Sequence, residues 1–235
     1  MSGKEHLIVA LDVPTLAEAQ KLADELREEV GLFKVGLELY SREGLALLQW
    51  FQKESLPVFF DGKFHDIPNT VAAASAAVVS HGVAMFNVHA AGGTKMIEAA
   101  AAETARAKGK KPILLAVTVL TSMSQQVMND EIGIAGLVEN QVKKLALLAK
   151  FAGADGVVAS AAEAALIREA CGKDFVIVTP GIRPSWAAQD DQARVVTPKD
   201  ALANGSDYIV VGRPIVKAAN RKDAAKRIVE ELQSA

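Results

Sequence analysis

Residues 61–70 of this chain read Asp-Gly-Lys-Phe-His-Asp-Ile-Pro-Asn-Thr and directly follow the apolar run Val-Phe-Phe at 58–60. The apolar run is typical of a buried strand, and it leads into two carboxylates and a lysine. Asp61 and Lys63 are two residues apart, so on a strand their side chains leave the same face. Burying charges is costly unless they pair or take part in chemistry. The segment is therefore either a solvated strand end with an incidental ion pair or part of a functional site.

The apolar pattern around this segment predicts the fold. Stretches with helical spacing of apolar residues separate short β-rich runs, and such alternation predicts a parallel sheet with crossover helices. Because the runs are almost continuously apolar, both faces of the sheet should be covered. We predict an α/β fold, a (β/α)8 TIM barrel formed by residues 1–235 as a single domain, with a doubly wound open sheet as the alternative. The predicted strands cover 7–11, 32–37, 58–60, 85–88, 113–120, 156–159, 175–178 and 208–211.

Capping signals support this division into elements. Thr15 with Glu18 and Ser160 with Glu163 each match a capping box, and Thr197 precedes a proline at a predicted helix start. Glycines stand just past three apolar helical stretches, where a left-handed C-terminal cap belongs. They are Gly153, Gly172 and Gly205.

Composition narrows the functional class. The net charge is −2 and the pI is about 6.1, which suggests no nucleic acid and no acidic membrane surface as a partner. One cysteine, Cys171, excludes an internal disulfide and fits a reducing compartment. The sequence shows neither a signal-peptide pattern nor 18 consecutive apolar residues. We therefore expect a cytoplasmic protein with no membrane association.

Catalytic groups of such a barrel sit at the C-terminal ends of its strands. Two lysines and three aspartates converge there, and a structural role alone would not require charges after strands one, two and three together. An ion-pair network that plugs the barrel is the alternative interpretation. The polar residues carried by strands one to five or by the loops just after them are Asp12, Lys34, Asp61, Lys63, Asp66, Thr70, Asn87, His89, Thr121 and Ser122.

The last two strands suggest a phosphate ligand. Loops after strands seven and eight of many barrels bind phosphate. Gly212 lets the backbone approach an anion, while Arg213 and Arg183 offer guanidinium donors. The loop 181–197 is long for its place, which is typical of a lid, and it carries Gln192 as a further donor.

Taken in order along the chain, these motifs resemble the orotidine 5′-monophosphate decarboxylase family. The combination is specific, although no single motif is. The resemblance rests on Ala-Leu-Asp at 10–12, Phe-Lys-Val-Gly at 33–36, residues 61–70, Asn-Val-His-Ala-Ala-Gly-Gly at 87–93, Leu-Thr-Ser at 120–122, Val-Thr-Pro-Gly-Ile-Arg-Pro at 178–184, Asp-Asp-Gln at 190–192 and Val-Val-Gly-Arg at 210–213.

The resemblance implies an activity and a set of site residues. It implies a homodimeric barrel that decarboxylates orotidine 5′-monophosphate to uridine 5′-monophosphate in pyrimidine biosynthesis, with no metal and no organic cofactor. Lys63 would be the proton donor, within an array that also contains Lys34, Asp61 and Asp66. The other substrate-binding residues it implies are Asp12, Ile67, Pro68, Thr70, Thr121, Ser122, Pro180, Arg183, Gln192, Gly212 and Arg213. Asp66, Ile67 and Thr70 would reach the active site of the partner subunit.

One position departs from the family pattern. Gly62 stands where we expect a sizeable apolar residue, and by alternation it should face the helix layer. We therefore expect unfilled space behind strand three, and we expect Gly62→Leu to raise stability if neighbouring side chains have not closed the gap.

Three other functions stay open at this point. A related magnesium-dependent decarboxylase of a sugar-acid phosphate shares the array, but it has a carboxylate on strand two where this chain has Lys34. A metal-dependent aldolase could draw its ligands from Asp61, His65, Asp66 and His89. A non-catalytic phosphate-binding barrel would be expected to lack part of the array.

Overall fold

The strands form a closed parallel barrel in chain order, β1 to β8, in a computed structural model that describes residues 3–186 and 196–234. The predicted (β/α)8 barrel and all eight predicted strands are confirmed. The strands are β1 (Leu7–Ala10), β2 (Leu32–Gly36), β3 (Val58–Phe64), β4 (Met85–His89), β5 (Ile113–Val117), β6 (Gly156–Val158), β7 (Val176–Thr179) and β8 (Tyr208–Val211).

Helices follow every strand and cover the outside of the barrel. Short 3-10 turns at Gly3–His6 and Ala90–Gly92 and a π turn at Val127–Glu131 complete the described elements. No helix in the described parts of the chain is long and apolar enough to cross a membrane. The α-helices are α1 (Leu16–Leu26), α2 (Leu37–Glu43), α3 (Leu45–Lys53), α4 (Pro68–Ser80), α5 (Thr94–Ala105), α6 (Val138–Phe151), α7 (Ala164–Cys171), α8 (Pro198–Ala203), α9 (Arg213–Val216) and α10 (Arg221–Gln233).

Two apolar layers lie on either side of the sheet. The outer layer fills the space between strands and helices, and the inner one fills the barrel. Successive side chains on a strand alternate between these layers, so the polar residue that ends an inward row emerges at the mouth. The inward layer consists of Ile8, Ala10, Leu32, Phe59, Met85, Leu115, Val117, Val158, Val178 and Val210.

Most of the predicted caps form, and one does not. Thr15 accepts a hydrogen bond from the Glu18 amide at 3.3 Å, and Thr197 caps α8 through the Asp200 amide at 3.1 Å. The predicted capping box at Ser160 is wrong: α7 begins at Ala164, and Ser160 Oγ accepts from the Ala162 amide in a preceding turn. The three predicted cap glycines have positive φ, between 84° and 100°.

Carboxylates close the N-terminal end of the barrel. Asp155 precedes β6 and accepts from the Leu114 amide of β5 at 2.9 Å and from Lys111 Nζ at 2.8 Å. Asp207 precedes β8 and accepts from the Ile177 amide of β7 at 2.7 Å. In both places a carboxylate accepts a hydrogen bond from a backbone amide that the short strands would otherwise leave unpaired. These bonds hold the N-terminal end of the barrel together and involve no residue of the mouth.

Candidate active site

A cavity of about 300 Å³ opens at the C-terminal mouth of the barrel. Side chains and backbone from both halves of the barrel line it, with an apolar floor that includes Phe59 and Val158. The predicted site residues that line this cavity are Asp12, Lys34, Asp61, Lys63, Thr121, Pro180, Arg183, Gly212 and Arg213.

Four charged residues from three neighbouring strand ends form one connected network in the cavity. Lys34 Nζ lies 2.9 Å from Asp12 Oδ1 and 3.5 Å from Asp61 Oδ2. Lys63 Nζ lies 2.7 Å from Asp61 Oδ1. Asp61 thus stands between two ammonium groups, one facing each of its oxygens, while Asp12 at the exposed rim holds the far side of Lys34. The structure thus brings together both predicted lysines and two of the three predicted aspartates, Asp12 and Asp61.

The environment of Asp61 keeps its carboxylate ionised. Burial on its own would raise the pKa of Asp61, but the charges of Lys34 and Lys63 and hydrogen bonds from Lys63 and Asn87 outweigh burial and hold that pKa below its ordinary value. A partly buried carboxylate that is stabilised by specific partners is a frequent feature of functional sites.

Strand β3 is longer than predicted and irregular where it carries the charges. It runs to Phe64, and its register against β4 shifts between Phe60 and Phe64. Lys63 has a φ of 48°, in the left-handed region that residues other than glycine seldom adopt. The apolar pattern could not show this extension, because Asp-Gly-Lys does not read as a strand.

Asn87 supports this irregular stretch from the neighbouring strand. Its Oδ1 accepts from the Lys63 amide and its Nδ2 donates to Asp61 Oδ1, both at 2.7 Å. Asn87 has no exposed surface. Sequence reasoning named Asn87 only as a polar strand end and missed these contacts. The sequence did carry a signal for them. Asn87 lies between the apolar residues Phe86 and Val88 of a buried strand, and buried polar groups are hydrogen-bonded.

The segment after β3 turns away from the cavity of its own chain. Residues 65–70 are all exposed, and Ile67 exposes 66% of its surface although it is large and apolar. Asp66 accepts a hydrogen bond from the Ile67 amide at 2.6 Å, and α4 begins at Pro68. Asp66, Ile67, Pro68 and Thr70 are not among the residues that line the cavity. Within one chain, the predicted array is therefore complete except for Asp66.

The opposite side of the mouth carries the two predicted arginines. Arg183 follows β7 and is 5% exposed, and its amide donates to the Val196 carbonyl at 3.1 Å. Gly212 is the N-cap of the short helix α9, which has Arg213 and Pro214 in its first turn. Gln192, the remaining predicted phosphate ligand, lies outside the described residues, as does most of the predicted lid.

Thr121 and Ser122 do not end a strand. Strand β5 stops at Val117, so both residues lie in the loop that follows it. Thr121 lines the main cavity, whereas Ser122 lines an adjoining cavity of about 400 Å³ that Thr121 also borders. The predicted end of strand five at residue 120 was wrong because the apolar run continues into the loop as Val119 and Leu120.

The expectation of unfilled space at Gly62 is also wrong. Gly62 does face the helix layer, but a Cβ built on it would overlap the Phe60 ring. That ring packs against Tyr40 and Phe64, with centroid distances of 4.8 and 5.8 Å. Phe60, two residues earlier on the same face, therefore fills the space that a larger side chain at position 62 would take.

Two histidines lie next to the array. The rings of His65 and His89 are 5.4 Å apart. Burial and the neighbouring His65 and Lys63 lower the pKa of His89. In the described residues, no three His, Cys, Asp or Glu side chains are grouped so that they could hold a metal ion.

Comparison with known proteins gives a consistent result. The family model described as "Orotidine 5'-phosphate decarboxylase / HUMPS family" matches residues 5–228. The chain is 52% identical over 236 residues to an orotidine 5′-phosphate decarboxylase of Heliobacterium modesticaldum, covering 99% of this chain and 97% of that protein. It is 51% identical over 237 residues to the protein of the same name from Moorella thermoacetica, covering 99% and 94%.

A solved structure shows the same architecture. The crystal structure of orotidine 5′-phosphate decarboxylase from Lactobacillus acidophilus superimposes with a TM-score of 0.87 at 38% identity, and the match covers 96% of this chain and 98% of that one.

Proposed function

This chain belongs to the orotidine 5′-phosphate decarboxylase / HUMPS family, and we propose that it converts orotidine 5′-monophosphate to uridine 5′-monophosphate and carbon dioxide. A decarboxylase of pyrimidine biosynthesis is the activity that the family and its full-length relatives support. The observation that carries the proposal is the network at the cavity mouth, in which Lys34 and Lys63 flank the partly buried Asp61.

The proposed reaction breaks the bond between C6 of the pyrimidine and its carboxylate carbon. Carbon dioxide leaves without the bonding electrons, which stay on C6 as a carbanion that the ring cannot readily delocalise. A preorganised positive charge near C6 lowers the energy of that carbanion. We assign this role to the Lys63 ammonium, which then donates one proton to C6 and forms the C–H bond of the product.

Asp61 gives Lys63 its position. The bond of 2.7 Å between them and the depressed pKa of Asp61 both favour an ionised pair before substrate arrives. A pair held this way needs little reorganisation as charge develops on C6, which is the usual source of electrostatic catalysis. Asp61 also places a negative charge close to the proposed position of the substrate carboxylate.

The other contacts would bind the nucleotide. Asp12 and Lys34 suit the ribose hydroxyls, and Thr121 and Ser122 suit the pyrimidine edge. Arg183, Arg213 and the Gly212 backbone suit the phosphate, with Gln192 as a further predicted donor. Binding energy from phosphate, far from C6, can serve to close and dehydrate the site.

We further propose a homodimer in which each site is shared. Support comes from the segment after β3, which bears Asp66 and the exposed Ile67 and contributes nothing to its own cavity. In a two-fold dimer, Asp66 of the partner subunit would complete the array beside Lys63, and two identical composite sites would result.

Mixing two inactive variants tests this shared site. In a hybrid of Lys63→Ala and Asp66→Asn chains, one site receives both lesions and the other receives none. Random subunit exchange makes about half of the dimers hybrid, so activity should return to roughly a quarter of wild type. No recovery, with exchange verified independently, would contradict the shared site.

The activity itself is tested by following the ultraviolet absorbance of orotidine 5′-monophosphate with the purified protein, before and after exhaustive chelation. We expect the same turnover in both, because the proposed positive charge comes from Lys63. Activity that is lost on chelation and restored by magnesium would favour the metal-dependent alternative, and no turnover at all would favour a non-catalytic barrel.

A cytoplasmic location stays a prediction from the composition.

A further inference from the structure

We propose that Asn87 is a positioning residue for the reaction, because it holds the Lys63 backbone and the Asp61 carboxylate in one fixed relation. This inference rests on the proposed function and adds a residue to its machinery. It starts from geometry: a single buried side chain on β4 bonds both members of the Lys63–Asp61 pair on β3.

The backbone of Lys63 depends on an external partner. Where β3 changes register against β4, regular ladder bonds between the two strands are interrupted. At that point the Lys63 amide donates to Asn87 Oδ1 at 2.7 Å instead of to a strand carbonyl. A left-handed conformation at a residue with a side chain persists only where the surroundings impose it. Among the residues that the structure describes, Asn87 accepts the hydrogen bond from this amide.

An amide is the side chain that fits both bonds. Asn87 must accept from the Lys63 amide through one terminal atom and donate to Asp61 Oδ1 through the other. A carboxylate at this position would face the Asp61 carboxylate with no proton between them. Leucine has nearly the same shape but can make neither bond. Both requirements also fix the orientation of the amide, since the reverse orientation would satisfy neither partner.

Asn87 also affects the ionisation of Asp61. The groups that face Asp61 are Lys34 from β2, Lys63 from its own strand, and Asn87 with His89 from β4, and Asp12 lies behind Lys34. The Asn87 bond favours the charged carboxylate, so its removal should raise the pKa of Asp61. If turnover needs ionised Asp61, the activity of a variant without this bond will begin to fall at a higher pH than that of wild type as the solution is acidified.

The test compares Asn87→Leu with Thr118→Val. Thr118 is also buried and donates to the Val158 carbonyl at 3.3 Å, but it does not line the cavity. Each variant loses buried side-chain hydrogen bonding, and only the first loses it at the array. Three quantities are measured: hydrogen exchange of the Lys63 amide by NMR, kcat and KM for orotidine 5′-monophosphate, and the pH dependence of kcat. If Asn87→Leu does not fold, Asn87→Ser, which is too short to make both bonds, takes its place.

For the Asn87 variant we expect faster exchange of the Lys63 amide and a kcat at least tenfold lower, a loss of about 1.4 kcal/mol in transition-state stabilisation. We expect KM within about threefold of wild type, because the nucleotide contacts are untouched. We also expect the acid limb of the kcat profile to lie at higher pH, because the pKa of Asp61 should rise. Thr118→Val should change thermal stability alone. A folded Asn87 variant with wild-type kcat and acid limb would show a merely structural residue. The amide measurement needs no substrate, so it separates failure of this inference from failure of the proposed activity.

Discussion

The two halves of the cavity mouth are built differently. On the side of β1 to β4, the polar groups sit on or immediately after the strands and bond one another at 2.7–3.5 Å. On the side of β5 to β8, the strands end in valine or threonine, and the cations Arg183 and Arg213 come from the loop after β7 and from the start of α9.

This difference matches the demands of the two proposed tasks. Proton transfer requires atoms held to within fractions of an ångström, and strands that pack on both faces provide that. Phosphate binding tolerates a mobile frame, and loops on a rigid scaffold commonly provide it. We therefore assign proton transfer, together with the ribose contacts of Asp12 and Lys34, to the first half, and we assign phosphate binding to the second.

The largest effect is expected at Lys63. Lys63→Ala removes the proposed proton donor and the charge that stabilises the carbanion, so kcat should fall by at least about 10⁴-fold with the fold intact. Steady-state kinetics and thermal unfolding measure the two quantities. Lys111→Ala is the matched control, because it removes a lysine that pairs with Asp155 at 2.8 Å at the other end of the barrel. A residual rate within about tenfold of wild type would remove Lys63 from its role.

A smaller effect, confined to one substrate, is expected at Arg213. Arg213→Ala should lower kcat/KM for orotidine 5′-monophosphate by roughly 10- to 100-fold, since a charge-assisted hydrogen bond contributes about 1.5–3 kcal/mol. Orotidine, which lacks the phosphate, should be affected far less. Arg106→Ala, at the exposed end of α5, is the control. Equal losses on both substrates would place Arg213 outside the phosphate site.

The third prediction concerns the packing of β3 on the face that points towards the helix layer. Gly62→Ala should lower the free energy of unfolding by about 1–3 kcal/mol, because its new methyl group must displace the Phe60 ring. Denaturant unfolding measures this cost in wild type and in a Phe60→Leu background. The cost should shrink in that background, because a more flexible side chain can yield. An unchanged cost, or a gain in stability, would show that Phe60 does not fill this space.

The smallest effect is a pH dependence of stability at His89. Its pKa is lowered in the folded state, so the unfolded chain takes up a proton first as pH falls. Stability should therefore decline below about pH 6.5, the ordinary histidine value, and His89→Gln should flatten that decline. Asp61 acts in a separate and more acidic window, since its depressed pKa lets its contribution persist until pH falls through that lower value. Chemical unfolding of wild type and His89→Gln between pH 5 and 7.5, a range of roughly one unit or more on either side of the ordinary histidine pKa, checks the His89 prediction. Equal slopes of stability against pH for the two proteins would contradict it.

Much of this molecule could be predicted from its sequence, because parallel strands buried on both faces appear as short apolar runs. The charged strand ends were also visible, since alternation places Asp61 and Lys63 on one face. Their convergence with Lys34 follows from barrel closure, which sets β2 beside β3.

The missed features depend on contacts between residues that no local pattern relates. At the irregular end of β3, the Lys63 amide bonds Asn87, 24 positions further along the chain. The space at Gly62 is filled by the rotamer of Phe60, which alternation alone does not specify. The proposed role of Asp66 requires a second subunit, so only the family resemblance could suggest it.

The division of the mouth into a half for proton transfer and a half for phosphate binding is tested most directly by the affinity of the two single variants for uridine 5′-monophosphate, the proposed product. Calorimetric titration compares wild type, Lys63→Ala and Arg213→Ala under one set of conditions. We expect Lys63→Ala to bind within about threefold of wild type although it turns over almost nothing, and Arg213→Ala to bind roughly tenfold or more weakly. If Lys63→Ala loses as much affinity as Arg213→Ala, the two halves of the mouth do not separate proton transfer from phosphate binding.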